Sequence, residues 1–213
     1  MVIVFDLDDT LYDEIDFIKS GFKEIALYLK DDKYYNFMLK EFKQNGSGKV
    51  FDKLIENFNL DISLNKLVEI YRFHQPNISL DDDTIKLLEF SKNYKTALIS
   101  DGHYITQKNK FNILGIEKYI KYPIFTDFYH TKKPELKPFK MVMEYFSNEE
   151  DFIYISDNPK KDFFAPNKLR WKSIRYKNSN GVYKEYENNA KYEAYNKLKI
   201  IEILRKINAK KIQ

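Results

Sequence analysis

Asp6-Leu7-Asp8-Asp9-Thr10 sets two carboxylates, Asp6 and Asp8, one residue apart at the end of the apolar run Val2-Ile3-Val4-Phe5. At that spacing they can divide labour: Asp6 can attack an electrophile while Asp8, offset along the loop, serves as acid and base. Ser100-Asp101-Gly102 follows another apolar run and offers a hydroxyl and turn amides suited to an anionic oxygen. Lys133-Pro134 stands ahead of a helical pattern and supplies a fixed cation. Ser156-Asp157-Asn158-Pro159-Lys160-Lys161-Asp162 follows a further apolar run and adds two acids, Asp157 and Asp162. Each segment alone has a bland reading: an acid-rich turn, a helix-entry turn, an exposed lysine, an N-cap with a first-turn acid.

The elements that must position these groups follow from the hydrophobic pattern. Residues 2–5 read as a strand buried on both faces of a parallel sheet, as do Thr96–Ile99, Ile124-Phe125, Phe152–Ile155 and Ser173–Tyr176. Helical patterns alternate with them at Thr84–Ser91, Ile105–Leu114, Phe139–Phe146 and, briefly, after Lys160, which argues for a parallel α/β sheet. In such a sheet ligands bind at the carboxyl ends of the strands, where the polar segments fall. The stretch from about Asp13 to Gln75 breaks the alternation. Ile15, Ile18, Phe22, Ile25 and Leu29 recur at helical spacing, followed by Tyr34–Phe42, then Phe51, Leu54, Ile55 and Phe58, then Leu64–Tyr71. The expectation is an all-helical insert over 13–76 between the first two strands, with 1–12 and 77–213 forming the α/β core. Pro76 biases Gln75 away from helix and marks the exit.

Composition narrows the remaining classes. A 213-residue chain with 43% hydrophobic and 32% charged residues is globular and suits one core plus a sizeable insertion. The absence of Cys rules out thiolate metal sites, disulfides and a cysteine nucleophile, and suits a reducing compartment. The net charge of +4 is too small to imply a nucleic-acid partner. No run of about 18 apolar residues is present, so no membrane span or membrane partner is expected. The first residues lack the features of a signal peptide, and a cytoplasmic location is expected. Lys197, Lys199, Arg205, Lys206, Lys210 and Lys211 alternate with Ile and Leu and read as the solvated face and frayed end of an amphipathic helix. Gly46-Ser47-Gly48-Lys49 is no phosphate-binding loop, because Lys43 holds the first glycine position and Val50 the Ser/Thr position. His74, His103 and His130 show no metal spacing, and oligomeric state is not legible.

Taken together and in order, the four polar segments resemble the haloacid dehalogenase superfamily, whose signature runs DxDx(T/V), Ser/Thr, Lys, then a paired-acid motif. The resemblance spans nearly the whole chain. It implies a Rossmann-like three-layer α/β sandwich with a central parallel sheet and a helical cap inserted after strand one. Tyr71–Pro76 and Asp157–Asp162 look like those of phosphatase-type members. The implied activity is hydrolysis of a small organic phosphate monoester through an aspartyl-phosphate on Asp6, with Asp8 as acid and base. Lys133 would neutralise charge, and Ser100, the Asp101 amide and Gly102 would hold a phosphoryl oxygen. Mg2+ is the implied cofactor, held by Asp6, Asp157 and the Asp8 backbone carbonyl, with Asp162 orienting metal-bound water. Glu14, Lys49 and Arg72 are candidate substrate contacts. The implied substrate is a small phosphorylated metabolite, a sugar phosphate or nucleoside monophosphate. Asp8 favours phosphate esters, because dehalogenating relatives lack a second Asp: a halide leaving group needs no proton.

The departures from the family pattern are local. Ser156 and Arg170 stand where the family usually has Gly, and both are expected to alter only nearby backbone. Two lysines precede prolines, Lys133 and Lys137. The family places an aromatic six residues after the lysine, which Phe139 satisfies for Lys133 alone. A phosphotransferase or phosphomutase shares the first half-reaction and stays open. A non-catalytic phospho-ligand-binding module would be favoured by loss of Asp6, Asp8, Lys133 or Asp157, none of which is lost.

Overall fold

The computed structural model describes residues 1–209. The chain divides into two compact units: Met1–Glu14 together with the chain from Ser79 onward, and Ile15–Ile78 between them. The first unit is built on a six-stranded sheet, in spatial order β3-β2-β1-β4-β5-β6. The strands are β1 Val2–Phe5, β2 Lys95–Ser100, β3 Tyr122–Phe125, β4 Phe152–Ser156, β5 Lys172–Tyr176 and β6 Tyr192–Ala194. Every neighbouring pair is parallel. The helices α5 Asp82–Ser91, α6 Tyr104–Ile113, α7 Lys137–Tyr145, α8 Phe164–Lys168 and α9 Lys197–Ala209 connect and cover the strands.

The sheet is buried on both faces, which is why its central strands read as unbroken apolar runs rather than alternating ones. Val2, Val4, Ala97, Ile99, Phe152 and Tyr154 pack with Phe139 and Val142 of α7 and with Phe163, Ala165 and Trp171. The alternate residues Ile3, Phe5, Leu98, Ile153 and Ile155 point the other way and are as completely enclosed. α9 contacts β5, β6 and α5. Full burial of side chains of this size contributes on the order of 1.5–3 kcal/mol each, so the short β1 is held by its surroundings rather than by its own length.

α5 starts where Asp81 accepts a hydrogen bond from the Thr84 amide at 2.6 Å. The same carboxylate takes the Lys197 ammonium at 2.6 Å, and Lys197 is buried. Lys197 therefore departs from the expected solvated stripe, because an ion pair with a helix cap offsets its burial. Lys199, Arg205 and Lys206 are exposed as expected, whereas Lys210 and Lys211 lie outside the described residues. β6 has no counterpart in the sequence reading: Tyr-Glu-Ala is too short and polar to register as an apolar run.

The second unit contains α1, which begins in the first unit at Glu14 and runs Glu14–Tyr28, then α2 Lys33–Asn45, α3 Val50–Phe58 and α4 Leu64–Phe73. Ile18, Phe22, Ile25, Met38, Val50, Leu54 and Leu67 form its own core. Its aromatic residues pack against one another, as Phe22 does on Phe42 and Phe51, so their helical spacing encodes core. Ser63 caps α4 through its hydroxyl. Gly21 is required sterically, since a Cβ there would meet the Tyr71 ring at 2.4 Å.

Candidate active site

Parallel strands with a common direction bring their carboxyl ends to one edge, and β1 lies between β2 and β4 at that edge. Asp6 follows β1 and continues its ladder through its amide, which donates to the Ile155 carbonyl at 2.9 Å. Asp157 follows β4 and Asp162 lies one turn later, its backbone amide donating to the Asn158 carbonyl. Lys133, from the segment before α7, reaches the same point: its Nζ is 2.5 Å from Asp6 Oδ1 and 3.1 Å from Asp162 Oδ1. It also donates to the Tyr154 hydroxyl at 3.2 Å. Lys137, the other lysine before a proline, is exposed and donates to the Tyr129 carbonyl at 2.7 Å.

The charge at this point is unbalanced. Asp6, Asp157 and Asp162 are all buried, and one oxygen from each lies within 4.8 Å of the others. Burial pushes the Asp6 carboxyl up to about 7 although Lys133 opposes it. Burial, with the charges of Asp6, Asp162 and Asp9, pushes Asp157 to about 9. Burial alone would drag the Lys133 ammonium down, but Asp162 and Asp6 hold it well above its ordinary value. Three oxygen-donor acids against one lysine is a donor set for a hard divalent cation, and the residues present fit magnesium.

A pH signature follows from the two raised values. A carboxyl that titrates higher when folded stabilises the fold below its unfolded value near 4 and loses that contribution as pH rises through the folded value. Asp6 and Asp157 should therefore lower the stability of the metal-free protein between about pH 4 and pH 9. Magnesium at 100 times its Kd should restore about 2.7 kcal/mol. Thermal melting with and without magnesium across that range should show a gain that grows with pH and is lost in Asp157→Asn.

Asp8 lines the same cavity and has partners of its own. Its Oδ1 accepts from the Tyr12 hydroxyl at 2.5 Å and from Lys110 Nζ at 2.7 Å, and its Oδ2 accepts from Gln107 Nε2 at 2.6 Å. Burial would raise its pKa, but Lys110, Tyr12 and Gln107 outweigh burial and hold it below the usual carboxylate range. Gln107 Nε2 also donates to the Ser100 hydroxyl at 2.8 Å and to the Asp101 carbonyl at 2.7 Å. Ser100 is thus buried against Gln107 and does not line the neighbouring cavity. The Asp101 carboxylate accepts from Thr126 Oγ1 and from Lys161 Nζ, each at 2.8 Å, and from the Lys133 amide at 3.1 Å. Gly102 turns the chain at φ +121°, where a side chain would also press on Gln107.

That cavity, of about 170 Å³, opens among Asp6, Asp8, Asp9, Glu14, Asp101, Lys133, Asp157, Asn158, Lys161, Asp162 and Tyr183. It is small beside the roughly 300–1,000 Å³ of drug-sized sites. Glu14 lines it, with its carboxyl pushed up to about 8 by burial and by Asp8, against the pull of Lys110. Lys49, just before α3, and Arg72, in the last turn of α4, are exposed residues of the helical unit. Sequence reasoning misses Asp9, Asn158, Lys161 and Tyr183 as lining groups, and Gln107 and Lys110 as partners of Asp8. The spacing of Gln107 and Lys110 on one face of α6 is the available signal, obscured because that helix is only weakly amphipathic.

Of the two departures from the family's glycines, Ser156 needs correction, whereas Arg170 alters only nearby backbone as expected. Ser156 does more than adjust local backbone, since its hydroxyl hydrogen-bonds Asp162 inside the buried cluster. Arg170 sits at φ +60°, the left-handed region that favours Gly, so an arginine carries the strain of the turn into β5.

A sequence profile described as "Haloacid dehalogenase-like hydrolase" matches residues 3–176. A glyceraldehyde 3-phosphate phosphatase of Pyrococcus furiosus is 26% identical over 97% of this chain and 94% of its own length. One of Methanocaldococcus jannaschii is 27% identical over 87% of each. Among solved structures, a haloacid dehalogenase-type hydrolase of Bacillus subtilis bound to magnesium has a TM-score of 0.72 at 15% identity. That alignment covers 95% of this chain and 97% of the other, and at such identity it speaks for the fold.

Proposed function

The chain belongs to the haloacid dehalogenase-like hydrolases, and we propose that within that family it is a magnesium-dependent phosphatase that hydrolyses a small organic phosphate monoester. The observation that carries the reading is one cavity lined by Asp6, Asp8, Lys133 and Asp157 together. An acid trio with a buried lysine provides a nucleophile and a cation. A second carboxylate in the same cavity relays the proton that an alkoxide leaving group needs and a halide does not.

Asp6 attacks phosphorus in line, forming an oxygen–phosphorus bond as the ester oxygen departs with the electrons of the broken bond. Asp8, held ionised by Lys110, Tyr12 and Gln107 before substrate arrives, takes the proton of the bound monoester monoanion and passes it to that oxygen. In the second half Asp8 takes a proton from water, which attacks the same phosphorus and frees both phosphate and Asp6. Asp6, Asp157 and Asp162 are the groups that would hold magnesium, with the Asp8 carbonyl as a further oxygen. When bound, the ion supplies fixed positive charge opposite the phosphoryl oxygens. Lys133 holds Asp6 in place and offsets its charge. Ser100 accepts from the Gln107 amide that also holds Asp8, so Ser100→Ala should slow turnover by less than the roughly 10²-fold lost with a donor that touches the oxyanion itself. A wild-type rate in that variant would remove Ser100 from the machinery.

The relatives named as glyceraldehyde 3-phosphate phosphatases make a three-carbon phosphate the first substrate to try. The helical unit is the proposed carrier of substrate selection, with Lys49 and Arg72 as its candidate contacts. The test is phosphate release from a panel of small esters headed by glyceraldehyde 3-phosphate, with magnesium and with chelator. Release that requires magnesium supports the reading. No release from any ester by a folded, magnesium-loaded protein overturns it.

A further inference from the structure

A phosphate ester has two ends, and the cavity wall is uneven between them. Nine of its eleven lining residues are carboxylates or lysines, and a tenth is the amide of Asn158. Tyr183 alone, among the described residues that line it, brings an apolar face. That side chain comes from the loop between β5 and β6, a segment with no part in the phosphoryl chemistry.

The loop is tied down from beneath and from the side. Arg175 of β5 is 1% exposed. One arm of its guanidinium donates to the Tyr183 carbonyl and the other to the Tyr186 carbonyl, each at 2.6 Å. Glu193 Oε2, 3.3 Å from Nη1, offsets the buried charge, and although Nε has no partner among the described residues the two carbonyl bonds fix the backbone at Tyr183. Asn178 donates to the Asp9 carbonyl at 3.1 Å and to Asp13 Oδ1 at 2.8 Å. Asn180 donates to Asp13 Oδ2 at 2.7 Å. A Cβ on Gly181 would lie 3.6 Å from Asp9 Oδ2, so the loop runs beside the acids that follow β1. The Tyr183 and Tyr186 rings are in edge contact at 5.6 Å, and the Lys160 ammonium lies 4.3 Å over Tyr186.

We propose that Tyr183 contacts the organic part of the substrate and sets leaving-group preference, and that Arg175 is the positioning residue that holds it there. The inference rests on the phosphatase reading for its substrate and on the loop geometry for its residue. Phosphoryl chemistry is left to the strand-end acids and Lys133; the tyrosine contributes area against carbon.

The test compares an ester with the phosphoryl group alone. In Tyr183→Ala, KM for glyceraldehyde 3-phosphate should rise about tenfold, whereas Ki for inorganic phosphate, which has no organic part, should stay within twofold of wild type. Tyr183→Phe keeps the ring and should bring KM back to within about threefold. Arg175→Lys should reproduce the split, and melting temperature reports whether that buried site still folds. Tyr183 is only half-buried, so the alanine variant keeps the test decisive if Arg175→Lys unfolds. An unchanged KM in Tyr183→Ala, or a Ki that rises in step with KM, overturns the proposal. Should the wild type release phosphate from no ester, the phosphatase reading fails by itself. Calorimetric binding of the ester and of inorganic phosphate to the same variants then decides the role of Tyr183.

Discussion

Asp6→Asn is expected to reduce magnesium-dependent phosphate release by about 10⁴-fold or more, the scale seen when a covalent nucleophile is removed. The substitution is nearly isosteric, and the amide oxygen can still accept the hydrogen bond that Lys133 makes to Asp6 Oδ1 at 2.5 Å. What disappears is a carboxylate oxygen able to form the acyl phosphate, a mixed anhydride that water can then hydrolyse, and one negative charge in a crowded cluster. That second loss separates chemistry from folding. Burial raises the Asp6 carboxyl to about 7 even with Lys133 beside it, so the ionised form costs the metal-free fold stability near neutral pH. Asp6→Asn should therefore melt no lower than wild type in chelator and gain less from magnesium. A dead variant that also melts well below wild type would point to a structural role instead. A variant with a tenth or more of the wild-type rate would exclude Asp6 as the nucleophile.

Lys133→Ala is expected to cost about 3–5 kcal/mol, because removing one partner leaves buried charge uncompensated. Its side chain is 2% exposed and stands between Asp6 and Asp162, whose side chains are 8% and 1% exposed. Turnover should vanish with it. Magnesium should recover part of the lost stability, since it is the other cation the cluster can accept, and none of the rate. Lys137→Ala is the control four residues on: its side chain is exposed and binds only a surface carbonyl, so urea melts should agree with wild type within about 0.5 kcal/mol. Activity lost in Lys137→Ala and kept in Lys133→Ala would reverse the assignment between the two lysines.

The aromatic Phe139 six residues after Lys133 is a usable sequence signal because it reflects packing. Phe139 is fully buried in the core beneath the sheet, and the lysine that precedes it at that spacing reaches the strand ends. Sequence cannot foresee the other partners of Asp8. Lys110 lies 102 residues away and Gln107 lies 99, and on a helix with so weak an apolar face they look like ordinary surface residues. Ser156 in place of the family's usual Gly reads in the sequence as a backbone detail, yet its hydroxyl enters the acid cluster. Lys197 reads as solvated, yet it is buried on the cap of α5. For Lys110, Gln107 and Lys197 the burial is compensated by a partner far along the chain that no local pattern reports, whereas the partner of Ser156 lies six residues on.

The sequence by itself determined the alternation of buried strands and helices, the helical character of residues 13–76 and the acids and lysine that meet at the strand ends. Those features are legible because they are local. A strand buried on both faces must be an apolar run, and in a parallel sheet the residues just beyond such runs share one edge. Only the tertiary structure decided that Asp8 rests on Lys110, that Ser100 lies behind Gln107, and that a buried Arg175 holds Tyr183 at the cavity wall. Those contacts depend on which side chains the packed sheet brings within about 3 Å of one another, a property of the folded chain rather than of any stretch along it.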